Sequence, residues 1–318
     1  MERRRFLKLG VGAAAGMATS ASSSATLRVI DTHIHLFDPR RPGGIPWPEK
    51  SDPIFHPALP ERYAGLAKPF GIVGAIAVEA SPLAADNDWV LNLIANQPIM
   101  VGFVGDLAPG TSGFAADLDR LHANPLFLGI RCGNLWNRDL PADAANPACI
   151  ADLRRLAAAG LAMDSANPDA NLVEAILRIA QQVPDLRIVI DHLPHAVLPA
   201  QPAALDRYWA NLKTLGANPR VFVKLSEIPV REQDRLVTDL APYRPHLDAL
   251  WDLFGEDRVL FGSDWPNSDH VATFAETFGI VRRYVAEKGP SATEKFFHRN
   301  SVAAYRWQPR TLEQRSLD

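Results

Sequence analysis

The chain has little cysteine, with only Cys132 and Cys149 among its 318 residues. Two thiols cannot build the disulfide framework that stabilises small secreted domains, so we expect both to be free and structural. Beyond its first residues the chain also lacks any run of Lys and Arg, and its formal net charge is -3. A mildly acidic protein without a basic patch does not attract nucleic acid or an anionic membrane. We therefore expect a small-molecule partner and no nucleic acid; the sequence indicates no oligomeric state.

Long apolar segments are missing as well. The run Leu9 to Ala18 is rich in Gly and Ala and too short to span a bilayer comfortably. It follows Arg3-Arg4-Arg5 and precedes small residues that end near Ala25, a pattern typical of a twin-arginine export signal. We predict a signal peptide over residues 1–25, a folded domain over 26–318, and a periplasmic or secreted protein without stable membrane association. A disordered basic tail and an uncleaved anchor are the alternatives.

From residue 27 onward, short runs rich in Val, Ile and Leu alternate with longer amphipathic stretches, which is the pattern of repeated βα units. The eight strand candidates are Leu27 to His35, Val73 to Ala80, Ile99 to Leu107, Leu126 to Cys132, Leu161 to Asp164, Leu186 to His192, Val221 to Ser226 and Val259 to Asp264. Eight such units predict the α/β class and a single (β/α)8 TIM barrel, with a doubly wound sheet as the alternative.

Helical patterns follow the strands, and two of them extend beyond ordinary lengths, over Arg231 to Phe254 and Ser268 to Lys288. The Pro- and Gly-rich stretch Asp38 to Pro60 is too long for an ordinary βα connection. We expect this inserted loop after strand 1 to fold over the catalytic face as a lid. An extra C-terminal helix, Ala292 to Tyr305, is expected to pack outside the barrel.

Polar residues lie at the ends of the predicted strands, which in a TIM barrel meet at one face. His33 and His35 are two residues apart and share a face of their strand. With His192 and Asp264 they form a set of three imidazoles and one carboxylate, which suits one divalent, Zn-like ion. The same groups can instead polarise a carbonyl without a metal. We predict all four as metal ligands, and Asp264 and His192 as catalytic residues.

Four further residues near the strand ends are predicted to bind substrate: Asp164, Lys224, Ser226 and Trp265. Arg131 also lies at the end of a predicted strand. Lys224 has a second interpretation, in which it only neutralises Asp264 or Asp191.

Neighbouring residues are more ambiguous. Asp191 is expected to point away from His192 on its strand and to be structural. Glu79 is either a ligand for substrate hydroxyls or a solvated carboxylate. His195 is either an extra pocket residue or, as we expect, an ordinary loop residue. Trp47 and Trp136 either form a wall of the pocket, as predicted for Trp265, or only pack within their loops.

Several motifs together resemble the amidohydrolase superfamily, specifically its amidohydrolase-2 branch of TIM-barrel hydrolases, which includes sugar-acid lactonases and 2-pyrone-4,6-dicarboxylate lactonase. They are Ile30 to Pro39, Leu128 to Arg131, Val189 to Leu193, Val223 to Ser226, Phe261 to Pro266 and Asn300 to Tyr305. The resemblance implies metal or catalytic roles for the four residues of the histidine and aspartate set, and an anion-binding or polar role for Arg131. It argues against a second metal, because strands 4 and 5 end in Arg131-Cys132 and Met163-Asp164.

The resemblance implies a hydrolase that opens a lactone or similar cyclic ester of a small organic or sugar acid. Asp264 would activate water while His33, His35 and His192 hold a divalent ion or polarise the carbonyl. Members of the branch that work without a metal leave both mechanisms open. A metal-dependent, non-oxidative decarboxylase of the same branch is the alternative enzyme, and a sugar-acid binding protein without turnover is the alternative from another class.

Overall fold

The computed structural model describes residues 27–166 and 168–315, so the predicted signal peptide lies outside the described residues. Eight parallel strands form one sheet in sequential order, and a hairpin of β8 (Arg231–Glu232) and β9 (Arg235–Leu236) forms a separate two-stranded sheet. The eight parallel strands are β1 (Val29–His35), β2 (Ile72–Val78), β3 (Met100–Gly105), β4 (Phe127–Gly133), β5 (Ala162–Ala166), β6 (Arg187–Ile190), β7 (Val221–Leu225) and β10 (Val259–Phe261). Each coincides with a predicted strand, which confirms the TIM barrel.

The two ends of the sheet meet beside the functional residues. The backbone N–H of Asp264 donates to the carbonyl of His33 at 2.9 Å, and that of His35 donates to the carbonyl of Trp265 at 2.7 Å. These bonds join β1 to the segment after β10, so the sheet closes into a barrel at its carboxyl end. The closure holds the His33 and Asp264 backbones in contact.

Helices surround the barrel, because parallel strands need crossover connections. They are α1 (Pro60–Ala67), α2 (Ala84–Ile94), α3 (Phe114–His122), α4 (Leu140–Asp143), α5 (Pro147–Ala158), α6 (Ala170–Gln182), α7 (Pro202–Gly216), α8 (Arg244–Phe254), α9 (Phe274–Ala286), α10 (Pro290–Glu294) and α11 (Asn300–Tyr305). A large apolar cluster fills the space between the helices and the strands.

Two predicted helices are shorter than expected. The region from Arg231 begins as a hairpin, β8 (Arg231–Glu232) and β9 (Arg235–Leu236), and α8 starts only at Arg244. Proline explains the late start, since Pro245 lies in the first turn of α8 and Pro is tolerated there but not in a helix interior. The last long pattern divides into a short 3₁₀ turn, Asn267–His270, and α9, which begins at a Thr273–Glu276 capping box.

Most of the C-terminal segment packs outside the barrel as predicted, since Phe296 and Phe297 belong to the outer apolar cluster, but its end lies inside the barrel. Residues from all eight barrel strands form one interior apolar cluster, and Ala304, Tyr305 and Trp307 complete it. The Arg187 guanidinium, at the start of β6, donates to the carbonyl of Ala304 at 2.6 Å. The end of α11 therefore closes the bottom of the barrel, opposite the catalytic face.

The insertion between β1 and α1 crosses the mouth of the barrel as predicted. The Trp47 ring lies 5.5 Å from the His35 ring in an edge contact, and Asp52 pairs with His270 after β10 at 2.7 Å. Both cysteines are free and buried, in agreement with the prediction. None of the helices in the described part of the chain is long and apolar enough to cross a membrane.

Candidate active site

Three strands end in the same way at the mouth of the barrel. His192 follows β6, Glu227 follows β7 and Asp264 follows β10, and each has a positive φ, of 52°, 51° and 59° respectively. Non-glycine residues seldom adopt this left-handed conformation, and such outliers often occur at functional sites. Here the left-handed turn ends each strand and leaves the side chain in the mouth.

Asp264 lies among three imidazoles that all present Nε2. Its Oδ1 atom is 3.2 Å from His35 Nε2, 3.5 Å from His33 Nε2 and 3.9 Å from His192 Nε2. The two Nε2 atoms of His33 and His35 are 3.3 Å apart. All four residues are buried. The structure thus brings together the four residues predicted as metal ligands.

The outer ring nitrogens have their own partners. Nδ1 of His35 is 3.1 Å from the carbonyl of Val78, which can only accept, so this nitrogen carries the proton and Nε2 offers its lone pair. Nδ1 of His192 is 2.8 Å from Ser226 Oγ. Ser226, predicted to bind substrate, instead orients His192 in this arrangement.

Burial controls protonation in the cluster. It lowers the pKa of His35 to about 4 and the pKa values of His33 and His192 well below the ordinary value. It raises the pKa of Asp264 to about 6, against the opposing effect of hydrogen bonds from Glu227 and Asn267. Neutral imidazoles next to a carboxylate are the protonation states that a divalent cation requires of its ligands.

The spacing of the donor atoms also fits a metal. A tetrahedral ion with bonds of about 2.05 Å separates its ligand atoms by about 3.3 Å, close to the distances among His33 Nε2, His35 Nε2 and Asp264 Oδ1. Asp264 Oδ1 is buried and has no hydrogen-bond partner in the described structure, so an acceptor is available for a cation. The fourth donor, His192 Nε2, is also approached by Arg131 Nη2 at 3.3 Å.

Beneath the histidines lies a chain of buried charges. Lys224 Nζ is 2.6 Å from Asp164 Oδ2, 2.9 Å from Asp191 Oδ1 and 3.2 Å from His33 Nδ1. Asp191 also pairs with Arg131 Nε at 3.1 Å. Lys224, Asp164 and Asp191 have no exposed surface.

This placement differs from the predictions for three residues. Lys224 and Asp164 are buried under His33 rather than open to substrate, and the alternative interpretation of Lys224, as the partner of Asp191, describes its contacts. Asp191 does not point away from the site. It points inward like Val189, two residues earlier, because side chains alternate along a strand. The left-handed backbone of His192 then brings the His192 side chain to the same mouth of the barrel.

The tryptophans separate into two groups. Trp265 is fully buried in the core outside the barrel, where its ring packs 5.4 Å from Tyr63, so it is not a pocket wall. Trp47 contacts His35, as described above, and Trp136 Nε1 donates to Glu79 Oε2 at 2.9 Å. Glu79 is buried beside Arg131, at 3.8 Å, rather than solvated.

Glu227 is the residue that sequence reasoning missed. It forms a side-chain hydrogen bond with Asp264, and its Oε1 accepts from Asn267 Nδ2 at 3.2 Å while the same amide donates to Asp264 Oδ2 at 2.7 Å. Burial raises the pKa of Glu227. Its position directly after Lys224-Leu225-Ser226, at the end of a predicted barrel strand, was the available signal.

A family comparison agrees with this geometry. The model of the amidohydrolase family described as Amidohydro_2 matches residues 30–307, which includes every barrel strand except the first residue of β1. The chain belongs to the amidohydrolase family. It is therefore an enzyme of this family.

Among its relatives, the L-fucono-1,5-lactonase of Burkholderia ambifaria is 28% identical over 87% of this chain and 95% of its own length. A Burkholderia multivorans amidohydrolase solved with bound zinc has a TM-score of 0.76 at 22% identity, covering 88% of this chain and 99% of its own. A probable 2-pyrone-4,6-dicarboxylic acid hydrolase from Acinetobacter baumannii has a TM-score of 0.68 at 17% identity, with coverage of 88% and 99%. These two structures share the amidohydrolase fold.

Proposed function

We propose that this amidohydrolase hydrolyses a lactone or similar cyclic ester of a small organic or sugar acid. The observation that carries the proposal is the buried Oδ1 of Asp264, which has no hydrogen-bond partner in the described structure and faces the Nε2 atoms of three neutral histidines. Such an oxygen can take a proton from water, and an imidazole that carries its proton on Nε2 can stabilise charge on a carbonyl oxygen. The L-fucono-1,5-lactonase relative supports the same reaction class.

The reaction balances with these groups. Water adds to the lactone carbonyl carbon as its proton moves to Asp264 Oδ1, the ring carbon–oxygen bond breaks, and the proton passes to the departing ring oxygen. Asn267 holds the other oxygen of Asp264 at 2.7 Å, so the carboxylate keeps its orientation. Ser226 fixes the His192 ring, and the Val78 carbonyl fixes that of His35.

His33, His35 and Asp264 would hold a divalent ion, with His192 as the fourth donor when Arg131 withdraws from it. Such an ion would lower the pKa of water to about 7 and polarise the carbonyl. Metal-dependent and metal-free hydrolysis use the same four side chains, and chelation separates them. Export as a periplasmic or secreted protein remains a prediction from the sequence.

The test is proton release by the purified mature protein with a panel of sugar-acid and pyrone lactones, before and after chelation. Asp264→Asn should keep the fold and reduce turnover by about 10²–10⁴-fold, the contribution expected of a general base. Asp269→Asn is the matched control, because Asp269 is exposed five residues further along the same loop. It should retain wild-type turnover.

Three outcomes contradict the proposal. Near-normal turnover by Asp264→Asn would remove the proposed base. Silence on every lactone with release of carbon dioxide from aromatic acids would favour the decarboxylase. Tight binding of a sugar acid without any product would favour a binding protein.

A further inference from the structure

A cavity lined in part by Asp264 opens between the loops that follow β7 and β10. Its volume is about 150 Å3, which is room for about five water molecules or a short hydroxylated carbon chain. Glu227 and Asn267 line it next to Asp264, and Ser268 and Thr277 line it further along. We call this space the side cavity.

Two buried hydroxyl groups of the side cavity have no partner. Ser268 is 7% exposed and Thr277 is 2% exposed, and neither Ser268 Oγ nor Thr277 Oγ1 has a hydrogen-bond partner among the residues that the structure describes. Buried hydroxyls without a partner are uncommon and costly to stability. Because both residues line the cavity, a molecule inside it is the natural source of the missing hydrogen bonds.

The charges around the side cavity select the kind of molecule. Its lining, as far as the structure describes it, includes the carboxyl groups of Glu227 and Asp264 and the imidazoles of His195 and His270, but no Lys or Arg. The nearby cations are already paired, Arg131 with Asp191 and Lys224 with Asp164 and Asp191. His270 is itself paired with Asp52 at 2.7 Å, so a substrate carboxylate in the cavity would face two carboxyl groups without a Lys or Arg to compensate its charge. A neutral hydroxyl, which both donates and accepts, meets no such repulsion.

We propose that the side cavity binds hydroxyl groups of the substrate through Ser268 and Thr277, and that the substrate is a neutral polyhydroxylated lactone rather than a lactone dicarboxylate. This inference rests on the proposed lactone hydrolysis and adds a binding site and a substrate class to it. Asn267 links the side cavity to the catalytic carboxylate, since its amide donates to Asp264 and the residue also lines the cavity. A hydroxyl bound there lies beside the carboxylate that activates water.

The experiment compares a hydroxylated six-membered lactone with δ-valerolactone, which has the same ring without hydroxyls. In the double variant Ser268→Ala/Thr277→Val, KM for the hydroxylated lactone should rise about tenfold, while KM for δ-valerolactone stays unchanged. The variant Ser268→Ala/Thr277→Ser keeps a hydroxyl at position 277, so its KM for the hydroxylated lactone should rise less than that of the double variant. Ser291→Ala, on an exposed site of α10, is the matched control.

A binding measurement keeps the side cavity testable apart from turnover. Calorimetric titration with a hexitol, a neutral polyol that cannot react, should give binding to the wild type that the double variant loses. If no lactone is hydrolysed, the proposed function fails and the hexitol titration alone decides the side cavity. Three results would overturn the inference: an unchanged KM for both lactones, an equal rise in KM for both, or hexitol binding that survives in the double variant. In each case Ser268 and Thr277 do not bind substrate hydroxyls.

Discussion

Tyr305 provides a test of how the bottom of the barrel supports the site above it. Its hydroxyl donates to Asp164 Oδ2 at 2.8 Å, and the same oxygen pairs with Lys224. The other oxygen, Asp164 Oδ1, has no hydrogen-bond partner in the described part of the chain. Tyr305→Phe therefore leaves Lys224 as the main support of a carboxylate that has no exposed surface.

The expected loss follows from the kind of bond that is removed. A buried hydrogen bond to a charged group contributes about 1.5–3 kcal/mol to the free energy of unfolding. In a domain of this size that loss corresponds to a fall in Tm of about 2–5 °C. The catalytic groups keep their direct partners, so turnover should change much less than stability.

Tyr208→Phe is the control for calorimetry and denaturant unfolding. Tyr208 is equally buried, but its hydroxyl has no partner among the described residues. Removing that hydroxyl should leave the Tm unchanged or raise it, because an unsatisfied polar group is replaced by an apolar one. Equal shifts in the two variants would refute the role assigned to the bond between Tyr305 and Asp164.

Two predictions concern pH. Because burial raises the pKa of Asp264 to about 6, kcat/KM of the chelated protein should fall as the pH drops through this value and the base becomes protonated; a flat profile between about pH 5 and pH 8 would contradict this. Burial alone would lower the pKa of His270, but the hydrogen bonds that its ring donates to Asp52 and to the Asn267 carbonyl raise it. The contact between His270 and the insertion is therefore complete below about pH 6.5 and is lost as the pH rises through the raised pKa. Hydrogen exchange in residues 38–59, corrected for its intrinsic rate, should be faster at about pH 8.5 than at about pH 6, and Asp52→Asn should remove the difference.

The barrel could be predicted because most of its strands show two features in the sequence. Each is a short apolar run, and most end in a polar residue that an ordinary buried strand would not have. His33, His35 and Asp264 were found in this way, since extended strands alternate and strand ends in a barrel converge. The inserted loop was visible because it exceeds the usual length of a βα connection.

Alternation fails where the backbone leaves the extended region, and this explains Asp191 and His192. The strand ends at Ile190, and the left-handed φ of His192 brings two consecutive side chains to the same mouth. Trp265 was misplaced for a related reason, because the chain turns outward after the left-handed Asp264. Such turns depend on tertiary closure between β1 and β10, which no local pattern in the sequence describes.

The charge arrangement explains why Asp264 is the reactive carboxylate among its neighbours. Asp191 and Asp164 each contact Lys224, and Asp191 and Glu79 also pair with Arg131. Asp264 is as deeply buried, yet its hydrogen bonds come from the neutral amide of Asn267 and from Glu227, which is itself acidic. Its negative charge is therefore compensated less than the charges of Asp164, Asp191 and Glu79. A buried carboxylate in that condition binds either a proton or a cation more readily than its paired neighbours, so one physical cause makes Asp264 both a base for water and a ligand for a divalent ion.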